Sequence, residues 1–166
     1  MLRERLLAAL APRHTVHAHC DIPCGIYDPA AAQIGARTVA RMVELIDQIP
    51  AGSTDPQDRN KMIRCVQVKE QHAELVKREV QVIWSDYIKP EHLEKFPELH
   101  DLTWRLLKQA GKCKQSVDVE AAAELERLVE RFAVIFWATK GVPAHVMAPA
   151  ATRSGLNQIQ WEVRAD

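Results

Sequence analysis

The sequence has no apolar segment long enough to cross a membrane and no excess of charge of either sign. Its 166 residues include 22 Lys plus Arg and 22 Asp plus Glu, which gives a formal net charge of +0. A membrane-spanning helix needs roughly 20 apolar residues, and nucleic-acid binding depends on a basic surface. We therefore expect neither membrane insertion nor nucleic acid as a partner.

Cysteine is also scarce. The four cysteines are Cys20, Cys24, Cys65 and Cys113. A secreted domain held together by disulfides is usually shorter and richer in cysteine. Cys65 and Cys113 fall in or beside helical patterns, and we interpret them as reduced residues without a special role.

The first 18 residues are interpreted as a leader or pro-segment that is removed on maturation. They begin with basic residues and contain one apolar patch, at residues 6–11. That patch is shorter than the roughly 7–15 apolar residues of a secretory signal, and Glu4 is unusual in the charged start of such a signal. We therefore expect no export and a cytoplasmic protein.

Four segments between residues 28 and 140 have the periodicity of amphipathic helices, and nothing between them has the pattern of a β-strand. Asp28 followed by Pro29 starts the first helix, and Asp55 followed by Pro56 starts the second. Gly111 is predicted to end the third. The helices cover about residues 28–49, 55–89, 98–110 and 116–140. Their number and short connections predict an all-α fold, an antiparallel four-helix bundle.

The predicted core comes from the apolar stripe of each helix. In the first helix the stripe is Ile34, Thr38, Met42, Leu45, Ile46 and Ile49. In the second it is Met62, Cys65, Val66, Lys69, Ala73, Val76, Val80, Ile83, Trp84 and Tyr87. In the fourth it is Leu125, Leu128, Val129, Phe132, Ile135 and Phe136. We divide the chain into a leader (1–18), a bundle domain (19–141) and an extension (142–166) to which we assign no role.

The segment HCDIPCGIYDP at residues 19–29 has the chemistry of a metal site. Cys20 and Cys24 can reach one metal ion if the chain turns sharply, which Pro23 and Gly25 allow. Structural zinc sites usually have four protein ligands with C-x2-C spacing, and redox dithiols also prefer C-x-x-C. The amine of His19 and the amide nitrogen of Cys20, with the two thiolates, would form the planar set that suits nickel(II) or copper(II).

This ligand set requires His19 to be the first residue, and therefore cleavage after Ala18. The interpretations of the leader and of the metal site support each other on this point. From spacing alone, a metal site, a redox pair of cysteines and a segment without chemistry all remain open.

Four sequence blocks in one order resemble the nickel superoxide dismutase family. HCDIPCGIYDP resembles the nickel-hook motif of that family, and VKEQHAEL, WSDYIKPEHLEKFPELH and IFWATK follow it. Together they extend from His19 to about Lys140. The resemblance implies a four-helix bundle assembled as a homohexamer. It also implies an enzyme that converts superoxide, its substrate, to dioxygen and hydrogen peroxide.

By this resemblance each subunit binds one nickel ion, which alternates between Ni(II) and Ni(III). The implied ligands are the amine of His19, the amide nitrogen and thiolate of Cys20, and the thiolate of Cys24. The His19 imidazole is an axial ligand in the oxidised state. Anionic thiolates and an amidate push electron density onto the metal, which favours the higher oxidation state. A protease that removes the leader is a further implied partner.

The resemblance implies catalytic roles for Tyr27, Tyr87 and Asp21. The tyrosines match family residues beside the open face of the metal, where we expect them to gate access and order water or peroxide. Asp21 lies within the hook motif and is expected to hold its backbone. Lys89 could attract the superoxide anion. Tyr87 as a packed bundle residue and Lys89 as a solvated surface residue are the plainer interpretations.

Two positions depart from the family pattern. Where relatives carry a glutamate in the first helix and an arginine in the second, this chain has Gly35 and His72. In the family these two side chains hold the axial imidazole, and Gly35 cannot do so. His72 is either a substitute that reaches the imidazole from a neighbouring subunit or a polar helix residue.

Two other functions would use the same residues. A helical bundle that carries nickel or copper without catalysis needs the same ligands. A helical oligomerisation module would instead join the two hook cysteines in a disulfide.

Overall fold

Residues 26–142 are described by the computed structural model, and this part of the chain is mostly helical. The helices are α1 (Ala30–Asp47), α2 (Pro56–Val82), α3 (Pro90–Lys95), α4 (Leu99–Gln115) and α5 (Val119–Thr139). A π-helical turn, Ile83–Tyr87, continues α2. No helix in this range is long and apolar enough to cross a membrane. The predicted leader, the hook ligands and nearly all of the C-terminal extension lie outside the described residues.

The four long helices form a bundle in which each helix packs against two others. Both α1 and α4 pack against α2 and α5. Because the connections are short, successive long helices run in opposite directions. One core fills the space between them and includes Val39, Val76, Leu106, Leu125 and Phe132. The predicted all-α bundle is confirmed, with one short helix more than expected.

The predicted buried face of α1 is wrong. Ile34 is 59% exposed, and of the six predicted core residues only Ile46 is buried. The buried face carries mostly small side chains, among them Ala32, Gly35, Ala36, Val39, Ala40 and Val43. Periodicity identified the stripe with the largest apolar side chains, whereas packing selected the stripe that allows neighbouring helices to come close.

At Gly35 the helices α1 and α2 come so close that no side chain fits. A Cβ atom there would lie 2.8 Å from Cγ2 of Val76 and 3.2 Å from the carbonyl oxygen of His72. A larger residue would therefore force the helices apart or distort Val76. The two departures from the family pattern, Gly35 and His72, thus meet at one helix crossing.

The two ends of α2 follow from its boundary residues. Asp55 is the N-cap and Pro56 occupies the first turn, as predicted. Helical structure continues to Tyr87, after which Ile88 is extended. Pro90 does more than stop this helix, because it starts α3, which the sequence analysis did not predict. Six of the ten residues in the predicted stripe of this helix are buried. The other four are only half-buried: Met62, Val66, Trp84 and Tyr87.

Gly111 does not end α4, which continues for another turn. The Nζ of Lys69 donates to three backbone carbonyl oxygens, those of Cys113, Lys114 and Ser116. These carbonyls belong to the end of α4, where the helix has no donors of its own. Lys69 is 2% exposed, and burial lowers the pKa of its ammonium group. A tertiary contact therefore replaces the glycine cap that we predicted.

The starts of α1 and α5 are shifted from their predicted positions. The α1 helix begins at Ala30, and the Asp28 carboxylate accepts from the Ala30 N–H at 2.7 Å. The α5 helix begins at Val119, because Asp118 is the N-cap and accepts from the Ala121 N–H at 2.9 Å. The predicted buried face of α5 is confirmed in full.

Cys65 and Cys113 are both free and buried. Burial raises the pKa of the Cys113 thiol to about 11, and its Sγ lies 3.3 Å from the carbonyl oxygen of Ala121. A protonated, buried thiol is a poor nucleophile and a poor metal ligand. The burial and free state of both cysteines agree with their interpretation as reduced residues without a special role.

A buried polar patch lies between α1 and α5. It contains Glu126 and Glu130 of α5 with Gln33 and Arg37 of α1. Burial, together with the Glu130 carboxylate, raises the pKa of Glu126 to about 7. Burial also raises the pKa of Glu130. Among the described residues, Gln33 Nε2 and Glu126 Oε1 have no hydrogen-bond partner. The folded chain therefore favours a protonated carboxyl group at this seam.

Candidate functional site

The predicted metal ligands His19, Cys20 and Cys24, and the predicted catalytic residue Asp21, lie outside the described residues. Their positions in space thus stay predictions. Between residues 26 and 142, no group of three or more His, Cys, Asp or Glu side chains could hold a metal ion. The described part of the chain therefore offers no alternative to the donor set of the hook segment, residues 19–24.

The two predicted tyrosines lie together at one end of the bundle, where α1 begins and α2 and α5 end. The ring centroids of Tyr27 and Tyr87 are 5.5 Å apart, with an interplanar angle of 46°. Tyr27 is 8% exposed and follows Cys24 closely in sequence. The fold therefore holds Tyr87 beside the point at which the hook segment joins the bundle.

A change in helix type positions Tyr87. It is the last residue of the π-helical turn, and the N–H of Ile88 donates to the carbonyl of Ile83 at 3.1 Å. A π turn adds one residue to the helical repeat and so rotates the side chains that follow it. Short π segments are frequent at functional sites. Here the turn ends on the tyrosine that the family resemblance singles out.

The unpredicted helix α3 places a histidine on the Tyr87 ring. His92 and Tyr87 are stacked, with centroids 5.3 Å apart and an interplanar angle of 21°. The Nδ1 of His92 accepts from the backbone N–H of Lys89 at 3.1 Å. Phe136 of α5 packs against Tyr87 at 4.9 Å. The ring of Tyr87 is therefore in contact with residues from two other helices.

The C-terminal end of α5 completes this aromatic site. The Nζ of Lys140 lies 5.4 Å from the Tyr87 ring centroid and 4.9 Å from that of Phe136. It also donates to the carbonyl oxygen of Tyr27 at 3.4 Å. The Tyr87 hydroxyl is hydrogen-bonded to Thr139 Oγ1 at 2.7 Å. We name Tyr27, Tyr87, His92, Phe136, Thr139 and Lys140 the aromatic end.

Sequence reasoning missed three residues of the aromatic end: His92, Thr139 and Lys140. All three lie within the sequence blocks that carried the family resemblance. Lys140 was named only as the approximate end of these blocks, and no sequence pattern predicted α3. Lys89, which we had considered as an attractor of superoxide, is exposed, and that role stays a prediction.

The structure also describes Gly35 and His72, the two positions that depart from the family pattern. His72 is half-buried, and its Nδ1 lies 2.9 Å from the carbonyl oxygen of Val68 in the same helix. Because a carbonyl only accepts, Nδ1 carries the hydrogen, and Nε2 is left as the acceptor in the neutral ring. Gly35 packs on the backbone of this turn. Whether His72 also supports His19 stays a prediction.

Comparisons with a family model and with individual known proteins all point to the same family. The model for nickel-containing superoxide dismutases matches residues 14–140. A superoxide dismutase [Ni] from Streptomyces coelicolor is 45% identical over 130 residues, 78% of this chain and 94% of the relative. One from Streptomyces seoulensis is 41% identical over the same shares of the two chains.

A solved structure of native nickel superoxide dismutase is similar to this chain in both sequence and fold. The two are 43% identical, the match covers 74% of this chain and 99% of the other, and the TM-score is 0.63. Together with the family model and the two Streptomyces relatives, this likeness extends from the hook segment through α5. The chain belongs to the nickel-containing superoxide dismutase family.

Proposed function

We propose that the mature chain disproportionates superoxide at one nickel ion bound by the segment that begins at His19. As a member of its family, the protein is a nickel-dependent superoxide dismutase, an oxidoreductase. One observation carries the proposal at the level of residues. A His-Cys-x3-Cys donor set leads directly into Tyr27, whose ring packs against Tyr87.

The chemistry of the donor set fits nickel. Two thiolates with nitrogen donors suit nickel(II), and the groups that would hold it are the His19 amine, the Cys20 amide nitrogen and the thiolates of Cys20 and Cys24. The His19 imidazole would be a further ligand. Nickel, when bound, supplies the electron transfer by cycling between Ni(II) and Ni(III).

The described residues contribute packing, charge and hydrogen bonding beside the hook. Tyr27 and Tyr87 limit access from this side and order water or product through their hydroxyl groups. The Lys140 ammonium lies beside both tyrosines, where its charge attracts the anionic substrate. Asp21 holds the backbone of the hook in this proposal.

Maturation follows from the ligand set. The His19 amine is free only after a protease removes residues 1–18, so we propose that the leader is a pro-segment. We also propose that the mature enzyme is cytoplasmic. Mass spectrometry of the protein from its own host should give a chain that begins at His19, and cell fractionation should recover it with cytoplasmic enzymes. An intact leader on active enzyme would contradict this part of the proposal.

The outward face of α1 supports a homo-oligomer, which by family resemblance is a homohexamer. Ile34 is 59% exposed, and Met42 and Leu45 on the same stripe are partly exposed. Large apolar side chains left in water on one helix face are typical of a protein interface. Sedimentation should show a smaller particle for Ile34→Glu and no change for the control Trp104→Glu, which alters an equally exposed residue on α4. An unchanged particle with Ile34→Glu would contradict this interface.

The decisive experiment changes the hook cysteines. Processed, nickel-loaded wild type should consume superoxide, whereas Cys20→Ser and Cys24→Ser should lose both nickel and activity. Cys65→Ser, which alters a buried free cysteine, is the matched control and should retain nickel. Tight nickel binding without turnover would favour the metal-carrier alternative. Full activity without metal, or a hook disulfide in the native chain, would refute the proposal.

A further inference from the structure

The hydroxyl group of Tyr87 belongs to a chain of hydrogen bonds at the end of α5. Its Oη lies 2.7 Å from Oγ1 of Thr139. The same Oγ1 lies 2.6 Å from the carbonyl oxygen of Phe136. Both distances are those of ordinary O–H···O hydrogen bonds, so the three oxygens form one connected series.

The chemistry of the three groups determines the direction of these bonds. The Phe136 carbonyl has no hydrogen, so Thr139 must donate to it. A threonine hydroxyl has only one hydrogen. The hydrogen in the other bond therefore comes from Tyr87, and the series runs from Tyr87 to Thr139 to Phe136.

The end of the helix makes the Phe136 carbonyl available as the terminal acceptor. In a continuing α-helix the N–H of Lys140 would donate to this carbonyl. Here the Lys140 N–H donates to Trp137 at 3.0 Å instead. Carbonyls in the last turn of a helix need such outside donors, and Thr139 supplies one. The direction of the series is thus built into the way α5 ends.

We propose that Thr139 is a positioning residue that keeps Tyr87 a hydrogen-bond acceptor toward the reaction site. This inference rests on the proposed function, because it assigns a role beside the nickel-binding segment. With its own hydrogen committed to Thr139, Tyr87 presents oxygen lone pairs to any further partner. It therefore accepts a hydrogen bond from water or hydrogen peroxide, and the protons consumed by the reaction come from elsewhere.

Ring packing prevents Tyr87 from turning away from this arrangement. His92 stacks on its ring at 5.3 Å and Phe136 contacts it at 4.9 Å. Moving the Tyr87 oxygen away from Thr139 would require the ring to leave these contacts, whereas the hydroxyl hydrogen can rotate about the C–O bond while the ring stays in place. Removing the Thr139 hydroxyl should therefore free the Tyr87 hydrogen without moving the ring, which makes the inference testable by a single substitution.

The hydrogen bond itself can be tested by spectroscopy on the full chain. The chain has only two tyrosines, so Tyr27→Phe leaves Tyr87 as the sole tyrosine. The intensity ratio of the tyrosine Fermi doublet in the Raman spectrum reports whether the phenol hydroxyl donates or accepts a hydrogen bond. Adding Thr139→Val should shift this intensity ratio away from a donating phenol, whereas Thr139→Ser should not. An unchanged ratio with valine would overturn the inference.

Kinetics on processed, nickel-loaded enzyme tests the consequence for the reaction. With Tyr27 intact, Thr139→Val should lower kcat about tenfold with little change in KM, and Thr139→Ser should restore kcat. Nickel content and the electron paramagnetic resonance spectrum should stay as in wild type. Thr103→Val is the matched control, because Thr103 is buried and donates to a carbonyl of its own helix at 2.8 Å. It should leave kcat unchanged.

The possible failures are distinguishable. A wild type that holds nickel and does not consume superoxide would refute the proposed function, while the Raman ratio would still decide the direction of the hydrogen bond. An active wild type whose kcat is unaffected by Thr139→Val would overturn the role of Thr139 and leave the proposed function standing.

Discussion

Two lysines, one near each end of the bundle, are used in opposite ways. Lys69 is 2% exposed, and its Nζ donates to three backbone carbonyls at the end of α4. Lys140 is exposed, and its Nζ lies over aromatic rings beside Tyr27. The first lysine closes a helix terminus, whereas the second leaves its charge at the surface.

The difference shows how the bundle separates stability from function. At the Lys69 end the polar groups satisfy one another, so changes there should act on folding. At the aromatic end a cation and two phenols gather where the hook segment joins the bundle, so changes there should act on the reaction. Substitutions at the two ends of the bundle should therefore affect different measurements.

The largest expected effect is that of Lys69→Met. Methionine fills much of the same space but leaves buried carbonyls without a donor, and each such group costs on the order of 1–3 kcal/mol. We expect the free energy of unfolding to fall by about 3 kcal/mol in denaturant titration. The control Lys114→Met removes only an exposed ion pair with Glu74 and should change it little. Equal effects of the two substitutions would contradict the role of Lys69.

A pair of glycine substitutions tests the packing between the two ends. Gly35→Ala places a Cβ 2.8 Å from Val76 and should destabilise the fold by about 1–2 kcal/mol. Gly111→Ala meets nothing within 4 Å and lies inside α4, so it should stabilise by roughly 0.5–1 kcal/mol. Thermal unfolding measures both. Adding Val76→Ala should restore part of the stability that Gly35→Ala loses. If the two glycine substitutions changed stability in the same direction, this packing argument would be contradicted.

Lys140→Met should change activity more than stability. Without the ammonium group we expect kcat/KM for superoxide to fall about tenfold, or roughly 1.4 kcal/mol, with a weaker dependence on salt. Lys140→Arg should retain most of the rate. The control is Lys108→Met, because Lys108 also lies over an aromatic ring, that of the exposed Trp104 at 5.8 Å. If both methionine variants slow the enzyme equally, the location of Lys140 is irrelevant.

The smallest expected effect concerns Glu126, which lies along the α1–α5 seam. Its pKa in the folded chain is raised from 4.5 to about 7, so the folded state binds the proton more tightly than the unfolded state. Stability is then lost as pH rises from about 4.5 to about 7. Glu126→Gln should be more stable than wild type at pH 8, on the order of 1 kcal/mol given partial exposure, and no more stable at pH 4.

Calorimetry at the two pH values tests this expectation. Three neighbouring charges also act on Glu126, namely those of Glu130, Arg37 and Glu44, so the measured midpoint belongs to the cluster. If the difference in stability between Glu126→Gln and wild type were the same at both pH values, the predicted titration of Glu126 would be contradicted.

Much of the fold was predictable because it depends on local signals. Asp55 with Pro56 started α2 where predicted, and the α5 stripe is buried as predicted, because caps and periodic patterns act within a few residues. The inward face of α1 was not predictable in this way. Its small side chains are weak in any hydrophobic pattern, yet the missing side chain of Gly35 is what leaves room for α2.

The residues of the candidate site likewise include some that local sequence motifs predicted and some that only packing brings together. The hook residues and both tyrosines were chosen from motifs, since a metal's preference for sulfur and nitrogen donors can be recognised in a few consecutive letters. Thr139 and Lys140 lie far from Tyr87 along the chain. No local pattern relates residues at such a separation, because only the packing of α5 against the π turn brings them into contact.

The presence of the four long helices, the start of α2 and the chemistry of the metal-binding segment thus follow from the order of the residues, because each depends on near neighbours. The buried face of α1, the cap that Lys69 provides to α4 and the direction of the Tyr87 hydrogen bond follow from packing. Each of these three depends on atoms that distant segments bring within a few ångströms, and that proximity exists only after the helices have assembled.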